Sequence, residues 1–347
     1  MPILQAHQLR KLGREFLMAV GASEDEARLV SDLLVKANLA GHDSHGIVRT
    51  LRYVDGVLNQ RIKPGAKVEV VRETPCSALL DGNWGFGQVV ASKAMGLAIE
   101  KAEKSAIGAV AVFNCNHIGR LTDYALMAAE KNMIGIAFVN AGKSVAPFGG
   151  MERMLGTNPV CFAAPAGKER PFLLDIASSV VAEGKLWVRL HSKQSLPEGW
   201  ILDKEGKPSR NPVDFYAGGV LLPFGGYAGH KGYGLSLVCE ILCGILNGAG
   251  CSYSEEFKGG NGVFFEAINI QCFTPIEEFK ERMDSLAGAM RNSKRAPGSA
   301  EILFPGDPEA RMEQKRLAEG IPIPDVTWEE FTSMASRLRL NIEKVIE

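Results

Sequence analysis

The sequence lacks an excess of charge of either sign. It contains 39 basic and 40 acidic side chains, and its formal net charge is −1. Binding to nucleic acid or to an anionic membrane surface depends on a basic patch, and no such patch stands out along the chain. We therefore expect neither partner.

Long apolar runs are also absent, and cysteine follows no metal-like or disulfide-like spacing. No stretch reaches the roughly 20 apolar residues that span a bilayer, and the first residues do not form a basic region followed by an apolar run. Seven scattered cysteines without a Cys-x-x-Cys pair indicate buried thiols in a reducing compartment. Cys239 and Cys243 are one helical turn apart, but small apolar core positions suit them better than a metal. We expect a cytoplasmic protein without a metal site.

What the sequence does contain is ample material for a core. A chain of 347 residues that is 46% hydrophobic fits one large domain or two closely packed ones. We predict an N-terminal helical region over residues 1–75, which packs with the C-terminal part, a sheet-containing catalytic region over 76–270, and a C-terminal helical region over 271–347.

Hydrophobic periodicity indicates an α/β protein. Apolar strands at 107–113 and 134–139 flank a helix at 121–131, a pattern typical of a βαβ unit. Residues 185–223 are rich in polar and turn residues and predict a surface segment, which a helix over 235–246 follows. The Gly85–Val90 stretch does not match a Rossmann phosphate loop, because valine stands where a third small residue lets helix and strand approach.

The stretch from Asn114 to Arg120 is the most informative one. It follows the strand at 107–113 and carries Asn, Asn and His before a glycine and a helix start. Such a strand end delivers polar side chains and free N–H groups to one edge of a sheet, which is where α/β proteins commonly bind small molecules.

Histidine is concentrated in similar interruptions. Four of the six, at positions 42, 45, 117 and 230, lie in loops beside glycine, a distribution typical of a site that handles protons. A metal site ranks lower because no His-x-x-x-His pair lies on a helix. A serine hydrolase ranks lower still, since neither Ser44 nor Ser178 lies in a Gly-x-Ser-x-Gly elbow.

Two further charged residues fit such a site. Arg49 is four residues after His45, so both project from one side of a helix that begins near Gly46, where one can donate a proton and the other hold an anion. Asp175 lies inside an apolar strand and needs a partner. That partner is a histidine, a ligand hydroxyl or, in the structural alternative, a set of local backbone N–H groups.

Taken together, the motifs resemble the type 2 malate/L-lactate dehydrogenase family over nearly the whole chain and in the same order. The motifs that carry the resemblance are Asp43-Ser44-His45-Gly46-x-x-Arg49, Asn116-His117-x-Gly119, Val145-Ala146-Pro147-x-Gly149-Gly150, Asn158-Pro159, Leu174-Asp175-Ile176-Ala177, Gly229-His230-Lys231-Gly232-Tyr233-Gly234 and Pro305-Gly306-Asp307-Pro308-Glu309.

The resemblance implies a mixed sheet with a non-Rossmann nicotinamide-binding domain and an NAD- or NADP-dependent oxidoreductase. The implied reaction transfers a hydride between the nicotinamide and C2 of a small 2-oxo or 2-hydroxy acid. The family also contains ureidoglycolate dehydrogenases and a reductase of cyclic imine carboxylates, so these activities remain alternatives. A non-catalytic metabolite-binding protein and a metal-dependent lyase are rivals from other classes.

Residue roles also follow from the resemblance. His45 or His117 is the implied proton donor and acceptor, with Asp175 as a further catalytic group. Ser44, Arg49 and Asn140 are implied to contact the substrate. The implied cofactor contacts are His117, Gly119, Leu174, Asp175, Ile176, Ala177, Ser178, His230, Lys231, Gly232, Asn261, Pro305, Gly306, Asp307 and Glu309. Asp307 departs from the glutamate of many members, and a homodimer is implied.

Overall fold

The computed structural model describes residues 2–191 and 193–346. Its strands are β1 (Ile3–Leu4), β2 (Glu69–Glu73), β3 (Ser77–Asp81), β4 (Ile107–Cys115), β5 (Met133–Val139), β6 (Val160–Ala164), β7 (Phe172–Ile176), β8 (Ile201–Leu202), β9 (Pro208–Ser209), β10 (Val220–Leu221), β11 (Asn261–Asn269) and β12 (Ile321–Pro322).

The helices precede, separate and follow these strands. They are α1 (Ala6–Met18), α2 (Glu24–Leu39), α3 (Arg49–Leu58), α4 (Gly87–Ser105), α5 (Thr122–Glu130), α6 (Glu183–His191), α7 (Pro212–Tyr216), α8 (His230–Glu240), α9 (Ile276–Arg291), α10 (Asp307–Glu319), α11 (Asp325–Leu338) and α12 (Ile342–Ile346).

The main sheet has seven strands in the order β2-β3-β4-β11-β5-β6-β7. Only the β3–β4 pair is parallel, and the other neighbours are antiparallel. A doubly wound Rossmann sheet is mostly parallel, so this topology is of a different kind. The predicted mixed α/β class is confirmed. The predicted βαβ unit is not a pair of neighbouring strands, because β11 lies between β4 and β5 and bonds to both.

Helices α4 and α5 pack on the sheet at close range, and glycine makes this possible. A Cβ at Gly108 of β4 would lie 2.0 Å from the carbonyl oxygen of Ala98, and one at Gly135 of β5 would lie 2.2 Å from that of Ala125. Alanine lines the helix faces, so the layers interlock without large side chains. This packing holds the carboxyl end of β4, where His117 follows.

The N-terminal helices share a core with the C-terminal part of the chain. Phe16 of α1 meets Phe331 of α11 edge to face, with ring centroids 5.4 Å apart, and β1 pairs with β12. Burial of apolar side chains across this contact joins the two ends of the sequence into one hydrophobic cluster. The divisions at residues 75 and 270 remain predictions.

The segment over 185–223 differs from its prediction as a polar surface stretch. It folds into α6, α7 and a three-stranded sheet in the order β10-β8-β9. Its buried residues, which pack in one cluster with Val145, Leu155 and Val181, include Leu186, Leu196, Ile201, Phe215 and Leu221. The sequence of this segment looks polar because frequent turns separate its short strands and only a few of its positions lie in the core.

Helix α8 begins at His230, five residues earlier than predicted, and continues into a π-helical turn at Ile241–Ile245. Cys239 and Cys243 are fully buried in this region. Within the ranges described above, no helix combines the length and apolarity needed to cross a bilayer.

Candidate active site

A cavity of about 1140 Å³ lies between α3, α6, the loop after β5 and the residues around β12. Ser44, His45, Arg49 and His117 all line it. These are the predicted acid–base candidates and two of the three predicted substrate contacts, and they come from parts of the chain that are about 70 residues apart. The structure therefore joins the proton-handling groups to an anion-binding group in one space.

Asn38 of α2 stabilises the turn that carries His45. The Asn38 amide donates to Asp43 Oδ1 at 2.6 Å and its oxygen accepts the N–H of Ile47 at 2.7 Å. A Cβ at Gly46 would lie 2.3 Å from Asn38 Oδ1, so only glycine fits here. Arg316 of α10 also binds Asp43, with Nη2 at 2.9 Å from Oδ2. These contacts fix the position of Ser44 and His45.

Arg49 opens α3 and points its guanidinium back over this turn. Its Nε donates to the carbonyl oxygen of Ser44 at 2.6 Å. Within residues 2–191 and 193–346, it forms no ion pair with a carboxylate, and burial lowers its pKa. A partly buried guanidinium without a protein carboxylate is suited to an anionic ligand.

The two cavity histidines lie side by side. The rings of His45 and His117 are stacked, with centroids 5.5 Å apart and an interplanar angle of 24°. Burial, with Arg49 as the next cause, lowers the pKa of His45 to about 3 and that of His117 well below its ordinary value. Both imidazoles are therefore neutral at physiological pH before an anion enters the cavity.

His117 has a second set of partners that sequence reasoning missed. Its Nδ1 lies 2.9 Å from the hydroxyl of Tyr53, and that hydroxyl accepts a hydrogen bond from Gln88 Nε2 at 2.7 Å. The position of Tyr53 four residues after Arg49 on α3 is a signal that could have found it. Gln88 lies in the Gly85–Val90 stretch, in the first turn of α4.

Glycine at position 87 serves this arrangement as well. A Cβ there would lie 2.3 Å from the carbonyl oxygens of both Asn116 and His117. The start of α4 therefore packs directly on the backbone of the histidine loop. Close approach of protein backbone, and not of a phosphate, explains this glycine.

The two asparagines before His117 do not face the cavity. The Asn114 amide donates to the carboxylate of Asp81 at 3.0 Å, and that of Asn116 donates to the carbonyl oxygens of Trp84 and Gly85 at 2.8 and 2.9 Å. Both side chains tie the loop to the 81–85 turn. Of the polar side chains predicted at this strand end, His117 is the one that lines the cavity.

Asn140 and Asn261, predicted as substrate and cofactor contacts, are buried structural residues. Asn140 is 0% exposed, and its side chain binds the N–H of Gly262 and the carbonyl oxygen of Gly250. Asn261 bonds to the N–H of Ile118 at 3.1 Å and to the carbonyl oxygen of Asn140 at 2.9 Å. Their amides join β5 and β11 to the loop of His117, and their contacts with substrate and cofactor remain predictions.

A buried carboxylate completes this network. Glu240 of α8 is 3% exposed and accepts hydrogen bonds from Asn158 Nδ2 at 2.7 Å, from the N–H of Ser252 at 2.9 Å and from Asn140 Nδ2 at 3.3 Å. Several donors compensate the loss of water around a buried carboxylate. The network fixes the loop after β5, whose residues 141–144 form a wall of the cavity.

The hydrogen-bond partner of Asp175 is a threonine at a helix start and not a histidine. Its Oδ2 accepts hydrogen bonds from the N–H and the hydroxyl of Thr122, both at 2.9 Å. Thr122 is the first residue of α5, so the carboxylate caps a helix N-terminus. Burial raises the pKa of Asp175 in spite of these bonds. Asp175 is not among the residues that line the cavity, and its catalytic role remains a prediction.

Three of the predicted cofactor motifs contact one another along β7. The N–H of Leu173 faces the carbonyl oxygen of Pro305 at 3.4 Å, and Ser178 accepts a bond from the N–H of Phe224 at 3.0 Å. A Cβ at Gly232 would lie 2.9 Å from the carbonyl oxygen of Ser178. The motifs of residues 174–178, 230–232 and 305–309 therefore belong to one surface beside β7.

This surface reaches the cavity through Ser178. Its hydroxyl donates to the carbonyl oxygen of Thr157 at 3.1 Å, and Thr157 lines the cavity. At the end of β7, Ile176 exposes 36% of its area, whereas Leu174 and Ala177 are partly buried. Gly119 follows His117 with φ = +81°, a conformation that favours glycine.

The acidic pair in the 305–309 turn is already engaged. Asp307 accepts hydrogen bonds from Arg291 Nη2 at 2.8 Å and from the N–H of Phe304 at 2.8 Å. Glu309 lies 3.5 Å from Nε2 of His42, and this contact lowers its pKa. Gly306 adopts φ = +100° just before α10. The Asp307 carboxylate therefore joins the turn to Arg291 of α9.

His230 and Lys231, also predicted for the cofactor, are exposed on the first turn of α8. The ring of His230 meets Phe148 edge on, with centroids 5.8 Å apart. Neither residue lines the cavity of His45 and His117.

Further cations line the cavity beyond those that were predicted. Arg52 and Lys143 are exposed there, and in the chain apart from residues 1, 192 and 347 neither has an ion-pair partner. Arg153 is held differently, since its Nε donates to the carbonyl oxygen of Gly219 at 2.8 Å and its guanidinium lies 4.3 Å from the ring centre of Phe215. Carboxylates line the cavity as well, namely Asp43, Asp55, Glu183 and Glu330, of which Asp43 pairs with Arg316 and Asp55 with Arg337. The lining is therefore of mixed charge, with Arg49, Arg52 and Lys143 as cations that remain for a ligand.

The fold and the site define a class of protein. The site combines two neutral histidines with an arginine that has no carboxylate partner among the described residues. The model of the malate/L-lactate dehydrogenase family matches residues 4–332 of this chain. The chain belongs to this family, and the membership predicted from its motifs is confirmed.

Individual relatives extend over nearly the full length. A malate dehydrogenase of Pyrococcus abyssi is 47% identical over 332 residues, which is 93% of this chain and 91% of the relative. An L-sulfolactate dehydrogenase of Methanocaldococcus jannaschii is 39% identical over 353 residues, 99% of this chain and all of the relative. The solved structure of the Pyrococcus horikoshii malate dehydrogenase has a TM-score of 0.90 and 40% identity, with 98% of this chain and 96% of that chain covered.

Proposed function

We propose that the protein is an NAD- or NADP-dependent oxidoreductase that interconverts a small 2-oxo acid and the corresponding 2-hydroxy acid. The observation that carries this proposal is the convergence of Arg49, His45 and His117 on one cavity. Reduction of a 2-oxo acid needs a fixed carboxylate, a hydride at C2 and a proton for the carbonyl oxygen. The first and the third can come from these residues, and the bound nicotinamide ring supplies or accepts the hydride at its C4.

Arg49 binds the substrate carboxylate through its guanidinium, and Ser44 lies beside it. A bidentate pair would orient C2 and the carbonyl oxygen, which contributes to rate by restricting the reacting groups. The same pair would offset the positive charge of Arg49, which is one cause of the low pKa of both histidines. Substrate binding thereby makes a protonated imidazole easier to form.

His45 and His117 are the candidates for the proton transfer. General acid–base catalysis of this kind typically raises the rate by about 10²- to 10⁴-fold. We favour His117, because its Nδ1 is held by Tyr53 and its other ring nitrogen remains for the substrate. In this scheme His45 lies against the same substrate and helps to hold it. Its Nδ1 is 3.1 Å from Ser44 Oγ, so the two side chains act as one contact.

The substrate class follows from the other cations. Arg52 and Lys143 line the same cavity as Arg49, and Glu183 and Glu330 offset part of their charge. Three cations without an ion-pair partner among the described residues still favour a ligand with two negative charges over one with a single charge. The relatives named malate and sulfolactate dehydrogenase are compatible with such a substrate. We therefore propose a dianionic 2-oxo acid as the preferred substrate.

The cofactor residues that we propose lie on the surface beside β7. Leu174, Ile176 and Ala177 offer apolar contact, Gly119, Gly232 and Gly306 allow close approach, and Lys231 is an exposed cation. The carboxylates of Asp175, Asp307 and Glu309 already have protein partners. Their role toward the cofactor is therefore to hold the surrounding backbone, with His230 and Ser178 beside them.

Assembly and location belong to the same proposal. Helix α8 and the π-helical turn after it expose an apolar face, and burial of such a face against a second copy is favourable. Its members are Leu237, Val238, Ile241, Ile245 and Leu246, which are 37–66% exposed. We propose a homodimer through this face. Seven free cysteines support a reducing compartment such as the cytoplasm.

A substrate panel tests the function. Purified protein is mixed with pyruvate, oxaloacetate, sulfopyruvate or a cyclic imine carboxylate, each with NADH and with NADPH, and the loss of reduced-nicotinamide absorbance is followed. We expect the highest kcat/KM with a dianionic 2-oxo acid. Turnover of the cyclic imine alone would favour the alternative reductase, and cofactor binding without turnover of any substrate would contradict an enzymatic role.

A further inference from the structure

Three side chains form a hydrogen-bonded chain behind His117 that the proposed reaction does not yet use. Gln88 of α4 is 1% exposed and Tyr53 of α3 is 4% exposed. Gln88 Nε2 lies 2.7 Å from the Tyr53 hydroxyl, which in turn lies 2.9 Å from Nδ1 of His117. The other end of the Gln88 amide is unusual, because its Oε1 is buried and has no hydrogen-bond partner.

The direction of the hydrogen bonds among Gln88, Tyr53 and His117 decides which ring nitrogen of neutral His117 carries the proton. With the Gln88 N–H toward Tyr53, the phenol must point its only hydrogen at Nδ1, so a neutral His117 carries its proton on Nε2. With the amide turned over, Oε1 accepts the phenol hydrogen and the phenol oxygen accepts a hydrogen from Nδ1. The two amide orientations occupy nearly the same space.

Only the second orientation lets Nε2 gain and lose a proton without breaking the chain. There, His117 keeps its Nδ1 hydrogen whether it is the imidazolium or the neutral ring. In the first orientation, a second proton on His117 would bind to Nδ1. Its hydrogen would then face the phenol hydrogen, and the two would repel each other. The unpartnered Oε1 is the acceptor that resolves this conflict.

We propose that Tyr53 and Gln88 are positioning residues that set the protonation of His117, and that the Gln88 amide turns over to make His117 competent for proton transfer. This rests on the proposed function. In reduction, the Nε2–H bond of the imidazolium breaks as the O–H bond forms at C2, and the ring is left neutral with its hydrogen on Nδ1. The hydride comes from the reduced nicotinamide, the ring proton comes from solvent, and oxidation runs these steps backwards.

Few charged groups face His117, so the pH dependence of kcat can test the proposal. Burial lowers the pKa of His117 most, and the charges of Arg49, His45 when protonated and Arg52 lower it further. Tyr53 is the hydrogen-bond partner of Nδ1. Tyr53→Phe removes only the hydroxyl, so Nδ1 loses its partner. We expect kcat for reduction to fall about 10²-fold, with KM for the 2-oxo acid and Kd for the nucleotide changed less than about threefold.

Two readouts separate this effect from a loss of packing. The pH profile of kcat should move in Tyr53→Phe, and ¹⁵N spectra of histidine-labelled protein should show that His117 no longer prefers a single tautomer. Tyr124→Phe is the matched control, since this buried hydroxyl donates to the carbonyl oxygen of Ile118 and to no histidine. Gln88→Met should act in the same direction as Tyr53→Phe with a smaller loss of kcat, and serves if Tyr53→Phe does not fold.

An unchanged tautomer and pH profile in Tyr53→Phe or Gln88→Met, relative to Tyr124→Phe, would overturn the proposal. The ¹⁵N spectra are recorded on the resting protein and do not require turnover. A wild-type protein that reduces no 2-oxo acid but loses its tautomer preference in Tyr53→Phe would therefore contradict the proposed function while supporting the hydrogen-bonded chain.

Discussion

The imidazole rings of His45 and His117 are stacked with their centroids 5.5 Å apart, and burial, followed by the charge of Arg49, lowers the pKa of both. A single carboxylate bound to Arg49 therefore acts on two candidate acids at once. Their other contacts differ, because His45 touches Ser44 and His117 touches Tyr53. This difference allows substitution to separate them.

Replacement of each histidine should give different kinetic results. We expect His117→Ala to lower kcat for 2-oxo acid reduction by about 10²- to 10⁴-fold, because the proton donor is lost. His45→Ala should raise KM for the 2-oxo acid more than it lowers kcat, because a substrate contact is lost. Steady-state rates and the Kd for NADH or NADPH check both. The reverse pattern would make His45 the proton donor, and wild-type rates in both variants would contradict the proton-transfer proposal.

Substitution of Arg49 tests how the carboxylate is held. Arg49→Lys keeps the charge but loses the planar pair of donors, and Arg49→Gln loses both. A charge-assisted hydrogen bond contributes about 1.5–3 kcal/mol, so kcat/KM should fall about 10- to 150-fold in Arg49→Gln and less in Arg49→Lys. Nucleotide affinity, measured by fluorescence titration, should stay near that of the wild type. An unchanged KM in Arg49→Gln would show that another cation binds the carboxylate.

The second charge of the substrate has its own test. Arg52→Gln and Lys143→Gln should lower kcat/KM for oxaloacetate more than for pyruvate, because only the dianion has a second carboxylate for these cations. Lys93→Gln, an exposed lysine on α4 away from the cavity lining, is the control. Equal losses for both substrates would mean that the two cations act only on the shared carboxylate, or on neither.

The low pKa values predict that acid destabilises the folded protein. The folded pKa of His45 is about 3 and the ordinary value is 6.5, so between these pH values the unfolded chain binds a proton that the folded chain does not. Stability that is present above about pH 6.5 is therefore lost as pH falls toward 3, by up to about 1.4 kcal/mol per pH unit for this residue.

Urea unfolding from about pH 7 to about pH 4 measures this loss. His45→Asn should show a weaker decline in the free energy of unfolding than the wild type, because its side chain does not titrate. His7→Asn, at an exposed histidine of α1, should follow the wild type. Parallel curves for wild type and His45→Asn would exclude His45 as a cause of acid sensitivity.

The exposed face of α8 predicts the oligomeric state. Ile241→Asp combined with Ile245→Asp should convert a dimer into a monomer in light scattering, because two charges would be buried in an apolar interface. Val71→Asp on the exposed strand β2 introduces a charge at another apolar surface site and should leave the mass unchanged. A monomeric wild type, or a dimer that survives both charges, would contradict the proposed interface.

Local patterns were sufficient where the partners are close in sequence. The spacing of His45 and Arg49 predicted that they act together, and the apolar runs at 107–113 and 134–139 predicted strands that the structure contains. Long-range pairing was beyond such patterns. Nothing near β4 or β5 indicates that β11, more than 120 residues away, lies between them.

Buried polar residues are the ones whose partners the sequence could not indicate. Asn140, Asn261 and Asp175 lie at strand ends or in an apolar strand, where a ligand contact and a structural contact look alike in sequence. Their partners proved to be Gly262, Ile118 and Thr122. Conversely, Tyr53 contacts His117 and Gln88 contacts Tyr53, and only the spacing of Tyr53 after Arg49 gave any sign of this in the sequence.

The sequence by itself determined which functional groups are available, since histidine, arginine and glycine in loop positions are properties of composition and spacing. It also determined the class of fold, because periodicity depends on neighbouring residues. The tertiary structure decided which of these groups contact one another, which form hydrogen bonds with the backbone and which remain available to a ligand. Those outcomes depend on distances between residues far apart in the chain, and packing alone sets such distances.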